Sequence, residues 1–498
     1  MKYVSTRDNN RILSSAQAIH KGLSDEGGLF LPRELPSVDT DFLNKLCPMD
    51  YRQRGVEVLS LFLGEDYTRE ELKQCVEDAY GGQRFDDDNP APLAKVSDRD
   101  YFLELWHGPT CAFKDMALQL LPKLLPLAAA KTGTTKETVI LVATSGDTGK
   151  AALEGFCDVE GTRIMVFYPE EGVSPMQKRQ MNTQKGGNVQ VTGITGNFDD
   201  AQTGVKAIFN DKEFASLLDE SGFVLSSANS INWGRLVPQI VYYISAYCDL
   251  VQDNEIEMGE KIHFCVPTGN FGNILAAYYA KQMGLPVDKL ICASNSNNVL
   301  TDFIRTGCYD RNREFFTTLS PSMDILISSN LERLLYDITG RDSAHIVSLM
   351  EDLKATGRFV INQQGVEVLQ KQFYGAFCDD DTTKATIKKV FEDCSYLCDT
   401  HTAVAVNAVE QYRKATGDST KTVVVSTASP YKFADSVLSA LGAENVPQDD
   451  FAKAELLEKL SGTEIPAPIL ALRTAETRFT QVCASDEMKN AVAQFLKI

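Results

Sequence analysis

The sequence has no run of five or more basic residues, and its charge is lopsided the other way. Its 49 Lys and Arg stand against 68 Asp and Glu, a formal net charge of −19 at neutral pH. Nucleic-acid binding requires cations gathered on one face to neutralise phosphates, so that class of partner is excluded in bulk. A small anion in a local basic pocket is not. The opening Met1-Lys2-Tyr3-Val4-Ser5-Thr6-Arg7 lacks the apolar core of a secretory signal. Long hydrophobic runs are missing too: the most apolar stretch, Leu118 to Ala130, carries Pro122, Lys123 and Pro126 and is too short to span a bilayer. A soluble, cytoplasmic chain with no membrane partner is expected.

Cysteine is not scarce, but a pairing pattern is absent. The twelve cysteines are scattered, several in apolar runs such as Phe264-Cys265-Val266 and Ile291-Cys292-Ala293, where reduced Cys packs as a small hydrophobe. Cys394-x3-Cys398 with His401 lacks the second half of a zinc site, so no metal is expected. There is no internal repeat and no low-complexity tract. At about 150 residues per domain, 498 residues predict two to four structural units.

What is present is a rhythm. Up to the acidic turn Asp86-Asp87-Asp88-Asn89-Pro90 the chain is mixed helix and turn, which sets an N-terminal domain at residues 1–92. Short β-branched runs then alternate with helical stretches: Thr138–Ala143, Arg163–Tyr168, Val189–Ile194, Phe223–Ser226, Ile262–Val266, Leu290–Ala293 and Thr422–Ser426. They are apolar at consecutive positions, as strands buried on both faces of a parallel sheet are. This predicts an α/β core of open, mostly parallel sheets over 93–445. Residues 310–399 break the rhythm with charged amphipathic helices and are expected as a helical insertion. Residues 446–498 are expected as a tail docked on the outside.

Ligands in open α/β sheets bind beyond the carboxyl ends of the strands. One strand leads into Thr144-Ser145-Gly146-Asp147-Thr148-Gly149-Lys150, another into Pro267-Thr268-Gly269-Asn270-Phe271-Gly272-Asn273. Either loop is a tight strand–helix turn or an anion cradle of backbone N–H groups at a helix start. The first misses a nucleotide-binding P-loop at Thr144 and Ala151. A third strand leads into Ser426-Thr427-Ala428-Ser429-Pro430-Tyr431-Lys432-Phe433, whose hydroxyls are either helix caps or ligand contacts. Upstream, Lys114 lies in His107-Gly108-Pro109-Thr110-Cys111-Ala112-Phe113-Lys114-Asp115, at an apolar helix start that disfavours its charge. It is a surface lysine or a Schiff-base lysine. Two cradles, an amine and a strand-end hydroxyl together fit pyridoxal phosphate, with a second anion on the substrate.

These motifs resemble the threonine synthase family of the longer bacterial and fungal type, nearly end to end. Tyr3–Arg7, Gly22–Pro32 and Asn229-Ser230-Ile231-Asn232-Trp233-Gly234-Arg235 are similar to further family blocks. The resemblance implies a fold-type II pyridoxal-phosphate enzyme, tryptophan synthase beta-like, a carbon–oxygen lyase that turns O-phospho-L-homoserine and water into L-threonine and phosphate. It implies Lys114 as the Schiff-base lysine and as the proton carrier. Gly269, Asn270, Phe271, Gly272 and Asn273 would hold the cofactor phosphate, and Thr427 the pyridine nitrogen. Ser145, Thr148, Asn232 and Arg235 would anchor the substrate's carboxylate and phosphate. A phospho-lyase that releases 2-oxobutyrate, ammonia and phosphate, and a serine/threonine dehydratase, share the same motifs. The substrate is a small molecule, and the chain is expected as a monomer or small homo-oligomer. Asp147, Ser429 and Cys111 depart from the family pattern, and His107 is either a proton shuttle or a packed histidine.

Overall fold

The computed structural model describes residues 1–144, 146–171 and 173–498, and the backbone alone of residue 199. Among the described residues the strands are β1 Tyr3–Ser5, β2 Asp8–Leu13, β3 Phe30–Pro32, β4 Leu93–Lys95, β5 Asp100–Glu104, β6 Glu137–Ala143, β7 Thr162–Pro169 and β8 Val189–Thr195. They continue as β9 Phe223–Ser226, β10 Ile262–Pro267, β11 Val287–Ser294, β12 Cys308–Asp310, β13 Arg358–Val360, β14 Phe373–Phe377, β15 Thr422–Ser426 and β16 Val482–Ala484.

Two open sheets form the α/β core. The first runs β14-β11-β10-β15-β5-β4 and is parallel except for β4, which is antiparallel to β5 at the edge. The second, β16-β8-β7-β6-β9, is parallel throughout. Every residue of β10 and β15 is buried, which is why these strands are apolar at consecutive positions rather than alternating. Parallel pairing requires crossovers, and helices such as Asp147–Phe156 and Gly272–Met283 supply them.

The N-terminal segment forms the antiparallel sheet β2-β1-β3 and helices that include Tyr51–Leu63 and Arg69–Tyr80, both opened by capping boxes. It packs on helix Trp233–Gln252, which is buried almost all round. There Trp233 meets Tyr3 edge-on at 5.5 Å between ring centroids. The sheet therefore shares its core with the helix that begins at the family block around Asn232.

Residues 310–399 do hold charged helices, among them Leu331–Ile338, Ser343–Thr356 and Asp380–Cys394. They also hold β13, paired with β12, and β14, which extends the first sheet alongside β11. Phe373-Tyr374-Gly375-Ala376-Phe377 is too short for its strand periodicity to stand out between helices. The tail does more than dock, since β16 adds a parallel edge strand to β8. No helix among the described residues is long and apolar enough to cross a membrane.

Candidate active site

Lys114 is buried immediately before the short helix Asp115–Leu118, with its ammonium 4.9 Å from the centroid of the Phe113 ring. Burial lowers its pKa, and the nearby charges of Lys432 and Arg235 push the same way; Asp147 opposes them. Lys114 Nζ lies 3.5 Å from Asp147 Oδ2 and 3.4 Å from Ser322 Oγ. The helix start after β6 and the strap, residues 320–330 ahead of helix Leu331–Ile338, thus meet at one amine.

Asp147 organises this convergence. It opens helix Asp147–Phe156, where a carboxylate is favoured by the helix dipole. Its Oδ1 receives Lys432 Nζ at 2.6 Å and Gln177 Nε2 at 2.9 Å, and its Oδ2 receives Ser322 Oγ at 3.2 Å. Burial alone would raise its pKa, but Lys432 and Lys114 hold it far below the usual carboxylate range. Lys432, wholly buried, also donates to Thr110 O at 3.0 Å. The preceding Gly146 has φ 142°, and a Cβ there would come within 2.5 Å of the Gln177 side chain.

The second loop has the features of a phosphate cradle. Phe271 adopts the left-handed conformation, φ 63°, as the N-cap of helix Gly272–Met283, and such a turn points successive N–H groups into one concavity. A Cβ on Gly269 would lie 2.7 Å from the Ser322 carbonyl, so the close approach requires glycine. Asn273 Oδ1 accepts from Tyr242 at 2.5 Å and Tyr243 at 2.6 Å, and its buried Nδ2 has no partner among the described residues. Thr427 is buried at the end of β15, and its carbonyl accepts from Phe113 N at 2.8 Å. A lysine amine, a phosphate cradle with an unused buried donor and a strand-end hydroxyl together fit pyridoxal phosphate.

Arg235 lies in the first turn of helix Trp233–Gln252, only 3% exposed. Its Nη1 donates to Ala228 O at 2.8 Å, while its buried Nε has no partner among the described residues. Burial presses its pKa down to about 10. Thr148 is half-buried on the helix that Asp147 opens. Asn232 is engaged at both ends of its amide: it caps the helix at Gly234 N, 2.8 Å, and donates to Ile19 O, 3.0 Å. Ser145 falls outside the described residues.

His107 is clamped between Asp86 Oδ1 at 2.6 Å and Glu104 Oε2 at 2.9 Å and stacks on Trp106. Ser429 caps the turn Pro430–Phe433 through Tyr431 N, and its own N–H donates to Cys111 O. His401 accepts from Ser322 N at 3.2 Å and bonds Asp399 at 2.7 Å, so it braces the strap. Sequence reasoning gave no role to Ser322, Gln177, Lys432, Asp399 or His401. Lys432 stood inside a quoted motif, and the turn signals Ser320-Pro321-Ser322 and Ser328-Ser329-Asn330 marked the strap. Neither revealed which side of the fold these residues face.

Known proteins match along the whole chain. The family model for the threonine synthase N terminus covers residues 2–80, that for pyridoxal-phosphate dependent enzymes residues 90–428, and that for the threonine synthase C-terminal region residues 402–495. Threonine synthase-like 1 of Homo sapiens is 40% identical over 97% of this chain, which spans 66% of that protein's length. Threonine synthase of Pseudomonas aeruginosa is 38% identical over 92% of this chain and 94% of its own. The crystal structure of pyridoxal-phosphate-bound threonine synthase from Brucella melitensis superposes with a TM-score of 0.88 at 37% identity, covering 100% of both chains. With three consecutive family models and near-complete coverage of such relatives, the chain belongs to the threonine synthase family of pyridoxal-phosphate-dependent enzymes.

Proposed function

We propose that this chain is a threonine synthase that converts O-phospho-L-homoserine and water to L-threonine and phosphate. The observation that carries this reading is Arg235. Among the described residues its buried guanidinium has an Nε with no partner and no carboxylate against it, which is costly. It becomes favourable when an anion enters. Asp147 matches the charge of Lys432, so among the described residues the charge of Arg235 is left for an anion of the substrate. That suits a substrate bearing a carboxylate or a phosphate, and O-phospho-L-homoserine brings both.

The residues then take these roles. The backbone N–H groups of the 269–273 loop and Asn273 Nδ2 would hold the cofactor phosphate, and the Thr427 hydroxyl would be the partner of the ring nitrogen. Pyridoxal phosphate, when bound, supplies an electron sink for the amino-bearing carbon of the substrate. Lys114 Nζ removes the proton from Cα and, once that proton has passed on, one from Cβ; phosphate leaves Cγ, a proton is returned to Cγ, the hydroxyl of a water adds at Cβ, and a proton is returned to Cα. Arg235 and Thr148 orient the substrate anions, with Ser145 assigned to the same group from its sequence position. Asn232 serves by capping the Arg235 helix.

Incubation with O-phospho-L-homoserine tests the reading: threonine and phosphate in equal amounts support it, and 2-oxobutyrate as the main product overturns it. Lys114→Ala is expected to lose both turnover and the borohydride-sensitive absorbance of the bound cofactor.

A further inference from the structure

We infer that Asn330 and Arg333 are positioning residues of the phosphate cradle, and that through them the N-terminal sheet becomes part of the cofactor site. The inference rests on the reading of residues 269–273 as the cofactor-phosphate loop.

The cradle's carbonyls are fixed from the side of the strap. Ser328 Oγ donates to Gly269 O at 2.8 Å, and Asn330 donates twice to Asn270 O, from its backbone N at 3.0 Å and its Nδ2 at 3.1 Å. In a planar trans peptide the C=O and the following N–H point in opposite directions. Holding the Gly269 and Asn270 carbonyls against the strap therefore aims the N–H groups of Asn270 and Phe271 away from it. With Phe271 in the left-handed conformation and a helix starting at Gly272, those N–H groups converge on the anion position.

Asn330 is itself held. Its Nδ2 also reaches Ser230 Oγ at 3.1 Å, and its Oδ1 accepts from Arg333 Nη1. Arg333 is fully buried. Its Nε donates to Phe30 O of β3 at 2.9 Å, and its Nη2 donates to Ile231 O at 2.6 Å, one residue before the cap of the Arg235 helix. One planar fork thus joins the N-terminal sheet, the approach to Arg235 and the clamp on Asn270; a lysine, with a single nitrogen, cannot reach three such acceptors. Neighbouring Glu332 receives Arg7 Nε at 2.9 Å, Arg7 Nη2 at 2.7 Å and Thr6 Oγ1 at 2.5 Å. The same helix start is therefore gripped twice by the N-terminal segment.

The test titrates apoenzyme with pyridoxal phosphate and with pyridoxal, which lacks the phosphate, following absorbance. Asn330→Ala and Arg333→Lys are each expected to weaken pyridoxal phosphate by about tenfold or more, with pyridoxal affinity within about twofold of wild type. Equal losses for both ligands would mark a general structural defect and overturn the inference. So would a variant that keeps full discrimination. Asn330→Ala decides the matter if Arg333→Lys does not fold. A wild type that binds pyridoxal phosphate no better than pyridoxal overturns the cradle reading as well, whereas discrimination retained in Asn330→Ala overturns this inference alone. Substrate turnover does not enter, so the outcome stands apart from the identity of the reaction.

Discussion

Lys432 shows how much of this site is charge management, since its ammonium is spent on Asp147 and the Thr110 carbonyl. It is the wholly buried partner of Asp147. Removing one member of a buried pair costs about 3–5 kcal/mol, because it strands the other charge. Lys432→Met is accordingly expected to lose stability of that order in urea unfolding. Lys432→Met with Asp147→Asn is expected to regain much of it, a non-additivity that identifies the pair. His107 makes a second case. Burial lowers its pKa, but hydrogen bonds to Asp86 and Glu104 outweigh that and raise it from 6.5 to about 9. A group whose folded pKa is raised stabilises fully below its unfolded pKa and loses that contribution as pH climbs through the folded one. The wild-type melting temperature is therefore expected to fall between about pH 6.5 and 9 more steeply than that of His107→Asn. The variant is expected to keep most turnover at neutral pH, as befits a clamped imidazolium; a collapse of kcat with unchanged melting would instead make it a proton shuttle.

At the scale of elements, the strands of the core were the most legible part of the sequence. Thr422–Ser426 and Phe223–Ser226 agree residue for residue with β15 and β9, and helix Trp233–Gln252 begins where its periodicity does. Strands buried on both faces and long apolar helices leave strong patterns. The strap from Ser320 to Asn330 does not, because an irregular segment is specified by individual hydrogen bonds to partners far away in the chain, such as Gly269 and Asn270. Lys114, the 267–273 loop and Arg235 were singled out from a helix start, a strand end and a family block, each readable along the chain. Ser322 and Asn330 were missed since their partners come from folding alone. Gly269→Ala probes this layer. Its Cβ would meet backbone, the Ser322 carbonyl at 2.7 Å and Met323 Cα at 3.3 Å, so the strap or the cradle must shift. A loss of about 1–3 kcal/mol in thermal unfolding and faster release of cofactor on gel filtration are expected. Unchanged cofactor retention would show that the two segments adjust independently.

For the whole molecule, the tail connects an outer edge to the proposed catalytic centre. Helix Pro175–Asn182 faces both ways: Gln177 reaches inward to Asp147, while Arg179 Nε donates to Leu472 O at 2.6 Å and Asn182 O accepts from the N–H groups of Arg478 and Phe479. Arg478 Nη1 adds a bond to Gln184 O at 2.7 Å. Beyond it, β16 covers the edge of β8, and Met488, Val492 and Leu496 pack with Val139, Leu141 and Phe167 behind the second sheet. Deleting residues 476–498 would uncover both that apolar face and an unpaired edge, and an open edge is a template for pairing with another chain. The truncated chain is expected to scatter light on standing and to exchange the backbone amides of β8 faster than the full chain. Because helix Pro175–Asn182 would lose its Arg478 and Phe479 contacts, the disturbance should also travel inward and weaken the hold of Gln177 on Asp147. In the fraction that stays monomeric, the predicted sign is reduced cofactor retention together with lost β8 protection. Loss of protection with full retention would confine the tail's role to covering the sheet edge.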